Sequence, residues 1–268
     1  MPPKSKSKPP NKKDLPSKPP PQSQSQSPKP NWPPLRPLVP PSDLSLTPLL
    51  RDQIYLIPNF FPASLCKTYV SFLASLPMLT TPKKPKKDEA VRVNDRFQVQ
   101  DETFAEMVWR DTALRELVVE RAGEEDEDED EEDDDGNEKA RRSPQEIWGG
   151  KPLGLNANIR IYRYSKGQFF GAHYDDFNNV TFSSPSCPAQ PARTTWTLLI
   201  YLTNCTGGET VFYPEATKEN RNPSPVSVAP QTGMALLHRH GDSCMLHEGK
   251  EVLAGEKWVL RSDLVVER

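Results

Sequence analysis

Two histidines and an aspartate stand out by residue type and spacing. His173 and Asp175 lie one residue apart in GAHYDDF, and His247 follows 74 positions after His173 in MLHEGKEVLAGEKW. Two imidazoles and one carboxylate, with other coordination positions left open, form the ligand set that suits non-haem Fe(II) and lets it bind dioxygen. Ten residues after His247 comes Lys257, a cation able to hold the carboxylate of a second substrate. In an extended segment, residues two positions apart point to the same side, so His173 and Asp175 can share a face. The third ligand then has to arrive from a distant strand.

The elements that must position these residues follow from hydrophobic periodicity. A strand is expected over Gln53 to Ile57. A helix then starts near Pro62, with Leu65, Cys66, Tyr69, Leu73 and Leu76 on one apolar face. A second helical region runs from Asp101 to about Arg121 through Phe104, Met107, Val108, Leu114, Leu117 and Val118. Beyond it the pattern changes to short β-prone runs: Ala157–Tyr164, Thr194–Leu202, Thr210–Tyr213, Val226–Val228, Met234–His238 and Trp258–Val266. Helices first and short strands afterwards give an α+β, mainly β class, a two-layered antiparallel barrel supported by N-terminal helices.

Composition limits how much of the chain builds that domain. Of the 30 prolines, 16 fall in the first 50 residues, a stretch with few aliphatic side chains to bury. Residues 1–43 are therefore expected to form a disordered, basic tail, and 44–268 the folded domain. The twelve-acid run Glu124–Asp135 predicts a solvated insert over about 122–142. Without it the formal net charge of -3 becomes +9, so the near-neutral total conceals a basic tail and an acidic insert. The lysines of PPKSKSKPPNKK could serve nuclear import, phosphate contacts or plain solubility. No apolar run is long enough for a transmembrane helix, and the N-terminus has no apolar signal core. Cys66, Cys187, Cys205 and Cys244 lack CxxC spacing, so reduced thiols in the cytoplasm or nucleus are expected.

The segments YRYSKGQFFGAHYDDF, LLIYLTNCTGGETVFY, APQTGMALLHRHGDSCMLHEG and GEKWVLRSDL together resemble, in order and spacing, the catalytic domain of prolyl 4-hydroxylase-like Fe(II)/2-oxoglutarate-dependent dioxygenases. The resemblance covers about residues 155–266. It implies a double-stranded β-helix (jelly-roll) fold, Fe(II) held by His173, Asp175 and His247, and 2-oxoglutarate held at its far carboxylate by Lys257. Arg261, on the same strand face two alternations away, is the second candidate for that anchor. Tyr164 is expected to offer a hydroxyl to 2-oxoglutarate or else to fill the barrel wall. Tyr201 and Thr197 carry the same two options. His238 is read as a barrel-end residue and His240 as a turn residue, Gly207 and Gly208 as a tight bend, and Glu209 as orienting a neighbour or facing solvent.

The reaction implied by the resemblance is hydroxylation of an aliphatic carbon, using O2 and 2-oxoglutarate, releasing succinate and CO2, with L-ascorbate as the usual reductant. A prolyl or other protein side chain is the favoured substrate. RVNDR (Arg92, Asn94, Asp95, Arg96) is either a substrate-facing loop or an ordinary polar turn. Two other readings stand beside this one. One is a nucleic-acid or small-molecule 2-oxoglutarate oxygenase, with a role for the basic tail and Arg261. The other is a non-catalytic interaction module acting through the charged segments. No membrane association is expected, and oligomeric state is left open.

Overall fold

Alternation along the last strand organises the molecule. In Lys257–Glu267, Trp258, Leu260, Leu264 and Val266 point into one apolar cluster and Val259 into another, as a period of two requires. The computed structural model describes residues 29–81, 90–122, 142–218 and 220–268. In it this strand lies within a ten-stranded sheet, pairing antiparallel with Cys187–Tyr201 on one side and Asn158–Tyr164 on the other. Ala235–Arg239 and Ile54–Ile57 extend the sheet beyond the first partner, and Asp95–Gln100 beyond the second. A separate five-stranded sheet runs in the order Val226–Val228, Thr210–Tyr213, Leu246–Gly249, Phe169–His173, Arg92–Val93.

The two sheets and the helices account for both clusters. One face of the large sheet carries Ile159, Ile161, Trp196, Leu198, Ile200 and Leu260 against side chains of the helices Ala63–Leu73, Glu102–Arg110, Leu114–Val119 and Pro144–Trp148. Trp148, Trp196 and Trp258 are fully buried there. The other face turns Tyr162, Tyr164, Tyr201, Leu236 and Val259 towards Phe212 and Val228 of the small sheet. The fold is mainly β with helical support, as the patterning implies, and its two larger sheets remain separate, beside a two-stranded sheet of Cys205–Gly207 and Val252–Gly255. Among the described residues, no helix is long and apolar enough to cross a membrane.

Several expectations are revised. The second helical region is two helices, because the Thr112 hydroxyl donates to the Val108 carbonyl (2.5 Å) and accepts from the Leu114 N–H (3.2 Å), replacing helical bonds at the junction. Residues 29–43, assigned to the tail, pack on the domain. Trp32 stacks on Phe104 with ring centroids 3.9 Å apart and donates its indole N–H to Asp101 at 2.9 Å, and Leu35 is buried. Residues 1–28 of that tail and the acidic run lie outside the described residues. RVNDR is not an open loop: Asn94 is buried, and Asp95 begins a strand and accepts from Arg163 (2.7 Å) and Thr80 (2.5 Å). Of that motif, Arg92 comes nearest the site, with its guanidinium 4.8 Å from the Phe170 ring centre.

Candidate metal centre and adjoining cation

His173 ends the strand Phe169–His173, and His247 occupies the second position of Leu246–Gly249. These strands pair so that the two histidines are direct cross-strand partners, with ring centroids 4.2 Å apart. Each ring is oriented by its own strand. His173 Nδ1 lies 2.8 Å from the Gly171 carbonyl and His247 Nδ1 lies 2.9 Å from the Met245 carbonyl. A carbonyl can only accept, so both Nδ1 atoms carry the proton and both Nε2 atoms turn a lone pair to the pocket. Burial pushes both imidazoles below the ordinary range, His173 to about 4, which keeps them neutral at pH 7.

Asp175 follows just beyond the strand end. His173 Nε2 is 3.7 Å from Asp175 Oδ1, and His247 Nε2 is 3.8 Å from Oδ2. One nitrogen or oxygen from each of the three residues lies within 4.8 Å of the others. Burial pushes the Asp175 carboxyl up, but Arg261 and the facing imidazoles outweigh it and hold the group well below its ordinary range. Two imidazole lone pairs and a carboxylate therefore face one another without a proton between them. That arrangement is repulsive by itself and fits a divalent cation.

Oδ2 of Asp175 has partners of its own. Arg261 Nη2 donates to it at 2.8 Å and Thr197 Oγ1 at 3.0 Å. His238 Nε2 is 3.7 Å from the same oxygen. His240 is buried rather than set in an open turn, with Nδ1 3.0 Å from Thr197 Oγ1 and Nε2 2.9 Å from Thr194 Oγ1. All four histidines of the chain thus gather around Asp175 directly or through Thr197. The signal for His238 lay in MALLHRH, where it shares a strand face with Leu236, a residue of the inter-sheet cluster.

Lys257 lies on the same strand face as Arg261 and is a direct cross-strand partner of Tyr164. Its Nζ donates to the Gly208 carbonyl (2.7 Å) and the Thr210 hydroxyl (3.3 Å), and stands 5.7 Å and 5.3 Å from the ring centres of Tyr164 and Tyr201. Burial lowers its pKa to about 8, while the half-buried Glu209 acts in the opposite direction. Gly207 and Gly208 both adopt φ of +72°, and a Cβ at Gly207 would meet the Glu251 carbonyl at 2.4 Å. The bend that presents the Gly208 carbonyl to Lys257 therefore requires glycine. A single pocket is lined by His173, Asp175, His247, Tyr164, Lys257 and Arg261, with Phe170, Leu199 and Val259 as apolar wall. Tyr201 is fully buried, and its hydroxyl is engaged by Thr210 at 2.8 Å.

Residues 159–262 match the family described as the 2OG-Fe(II) oxygenase superfamily. The chain is 31% identical over 131 residues to "Probable prolyl 4-hydroxylase 4" of Arabidopsis thaliana and 32% identical over 131 residues to "Prolyl 4-hydroxylase 2" of the same organism. In both cases the match covers 41% of this chain and 42% of the relative, so the chain spans about two fifths of the length of the curated relatives it matches. Among solved structures, the viral collagen prolyl hydroxylase of Paramecium Bursaria Chlorella virus-1 aligns with a TM-score of 0.42 at 15% identity, over 80% of this chain and 96% of that one. A Pseudomonas putida prolyl-4-hydroxylase aligns with a TM-score of 0.46 at 11% identity, over 81% and 93%. The matched segment, residues 159–262, is thus similar to the 2OG-Fe(II) oxygenase superfamily, with proteins named prolyl 4-hydroxylases among its relatives. It contains every residue of the converging pocket named above.

Proposed function

We propose that this protein is an Fe(II)- and 2-oxoglutarate-dependent dioxygenase that hydroxylates an aliphatic carbon of a protein or peptide, with a prolyl ring as the favoured target. Its catalytic domain extends from about residue 29 to 268 as a double-stranded β-helix with helical support. Bound at His173, Asp175 and His247, Fe(II) with 2-oxoglutarate would supply the chemistry that consumes O2, releases succinate and CO2 and leaves a hydroxyl on the substrate.

The protein's own groups divide the remaining work. His173 and His247 present neutral Nε2 atoms, held in that tautomer by backbone carbonyls. Lys257, which lines the pocket and is held by the Gly208 carbonyl and Thr210 hydroxyl, binds the far carboxylate of 2-oxoglutarate, and the Tyr164 hydroxyl beside it donates a hydrogen bond. Phe170, Leu199 and Val259 keep water from that site. L-ascorbate would serve as the reductant that sustains activity after uncoupled turnover.

The observation that carries this reading is one pocket lined both by a two-histidine, one-carboxylate set and by a buried lysine. The sequence likeness to named prolyl 4-hydroxylases supports the substrate class. The test is succinate release with Fe(II) across peptides, nucleic acids and small metabolites, followed by mass analysis of the stimulating substrate. A proline-containing peptide gaining one oxygen is the expected result. Stimulation by nucleic acids or metabolites alone would overturn the substrate assignment, and no 2-oxoglutarate consumption with any of them would overturn the activity.

A further inference from the structure

The same pocket distinguishes the two oxygens of Asp175, an inference that rests on the metal-site reading above. Oδ2 accepts twice, from Arg261 Nη2 at 2.8 Å and from Thr197 Oγ1 at 3.0 Å, and a carboxylate oxygen has two lone-pair positions to fill. Oδ1 receives no hydrogen bond among the described residues and faces His173 Nε2.

The direction of each neighbouring bond is fixed by proton counting. Thr197 has one hydroxyl proton, and it goes to Asp175. The contact with His240 must then be donated by His240 Nδ1–H, which leaves His240 Nε2 to accept from the Thr194 hydroxyl. Thr194 Oγ1 in turn accepts from the Asn178 N–H at 2.9 Å. The chain runs one way and ends on Oδ2, with Arg261 Nη2 also 3.3 Å from Thr197 Oγ1.

We propose that Arg261, Thr197 and His240 form a clamp that commits Asp175 to metal binding through Oδ1 alone, and that Arg261 is a positioning residue for the metal ligand rather than an anchor for 2-oxoglutarate. A carboxylate held by one oxygen takes up one coordination position, which leaves more of them to the co-substrates. Arg261 and Lys257 share a strand face but serve different partners, Asp175 for the first and Gly208 with Thr210 for the second.

The experiment is a titration with Co(II) chloride, read by visible absorption, followed by 2-oxoglutarate binding at saturating Co(II). Full-length wild type is compared with Thr197→Val, Arg261→Lys and Lys257→Ala. Thr197→Val keeps shape and charge, so it remains informative if changes at the buried arginine impair folding. Thr197→Val and Arg261→Lys are each expected to weaken Co(II) binding by about ten- to a hundred-fold and to alter the Co(II) band, with 2-oxoglutarate affinity nearly retained. Lys257→Ala should show the reverse pattern. Co(II) affinity within about twofold of wild type in both clamp variants would overturn the clamp, as would Arg261→Lys losing 2-oxoglutarate affinity while keeping Co(II). A wild type that binds no Co(II), or binding that survives His173→Ala and His247→Ala, would instead overturn the metal-site reading and the clamp with it.

Discussion

His173 and His247 face each other directly across an antiparallel strand pair, although they lie 74 positions apart in the chain. Successive side chains of a strand alternate between faces, so a slip of one residue in either strand would carry one imidazole to the opposite face. The rings are also supported from the side: Phe170 stacks on His173 with centroids 3.6 Å apart, and Phe212 lies 5.5 Å from His247. The two histidines are thus brought together by the register of the small sheet, while Lys257 belongs to the large one.

Lys257→Ala is expected to weaken 2-oxoglutarate binding by about ten- to a hundred-fold, the worth of one charge-assisted hydrogen bond of roughly 1.5–3 kcal/mol. The pH dependence follows from the same residue. Burial brings its pKa down to about 8, so the charged form that attracts a carboxylate prevails below pH 8 and is lost above it. Apparent affinity for 2-oxoglutarate should therefore fall as pH rises from 7 to 9, by at most about tenfold per unit. A KM series over that range measures this, and a flat profile would exclude Lys257 as the anchor.

The two tyrosines beside Lys257 should behave differently. Tyr164 lines the pocket, whereas the Tyr201 hydroxyl is engaged by Thr210. Tyr164→Phe should raise the KM for 2-oxoglutarate by up to about tenfold, the effect of one hydrogen bond of about 1 kcal/mol. Tyr201→Phe should leave that KM nearly unchanged and appear in thermal unfolding instead. Equal KM effects at both positions would contradict this division.

The domain should need its residues from 29 onward. Trp32→Ala removes a ring stacked on Phe104 and a hydrogen bond to Asp101, and should cost about 2–3 kcal/mol of stability for this half-buried side chain. A chain starting at residue 29 should melt like the full chain, and one starting at 44 markedly lower. Equal melting of the two truncations would return the boundary to residue 43.

What the sequence disclosed depended on the range of the interaction. β-prone residue types bounded by turn residues locate the strands at Trp258–Val266 and Thr210–Tyr213, and the apolar spacing from Leu65 to Leu73 locates a helix. The strands carrying His173 and His247 are short and contain glycine, FFGAH and LHEG, so they had no periodic signal and were set by pairing with each other. Strand alternation groups Arg261 with Lys257, which gives the shared face but not the partner on it. Trp32 was hidden by the prolines around it, because composition speaks against a core of its own and not against packing on another.

The dioxygenase activity is tested by stoichiometric conversion of 2-oxoglutarate to succinate by purified protein with Fe(II), O2 and ascorbate, run beside His247→Ala. Fe(II)-dependent succinate is expected from the wild type and none above background from the variant, with the variant still folded. Succinate formed equally by both proteins, or by neither with Fe(II) present, would contradict that activity.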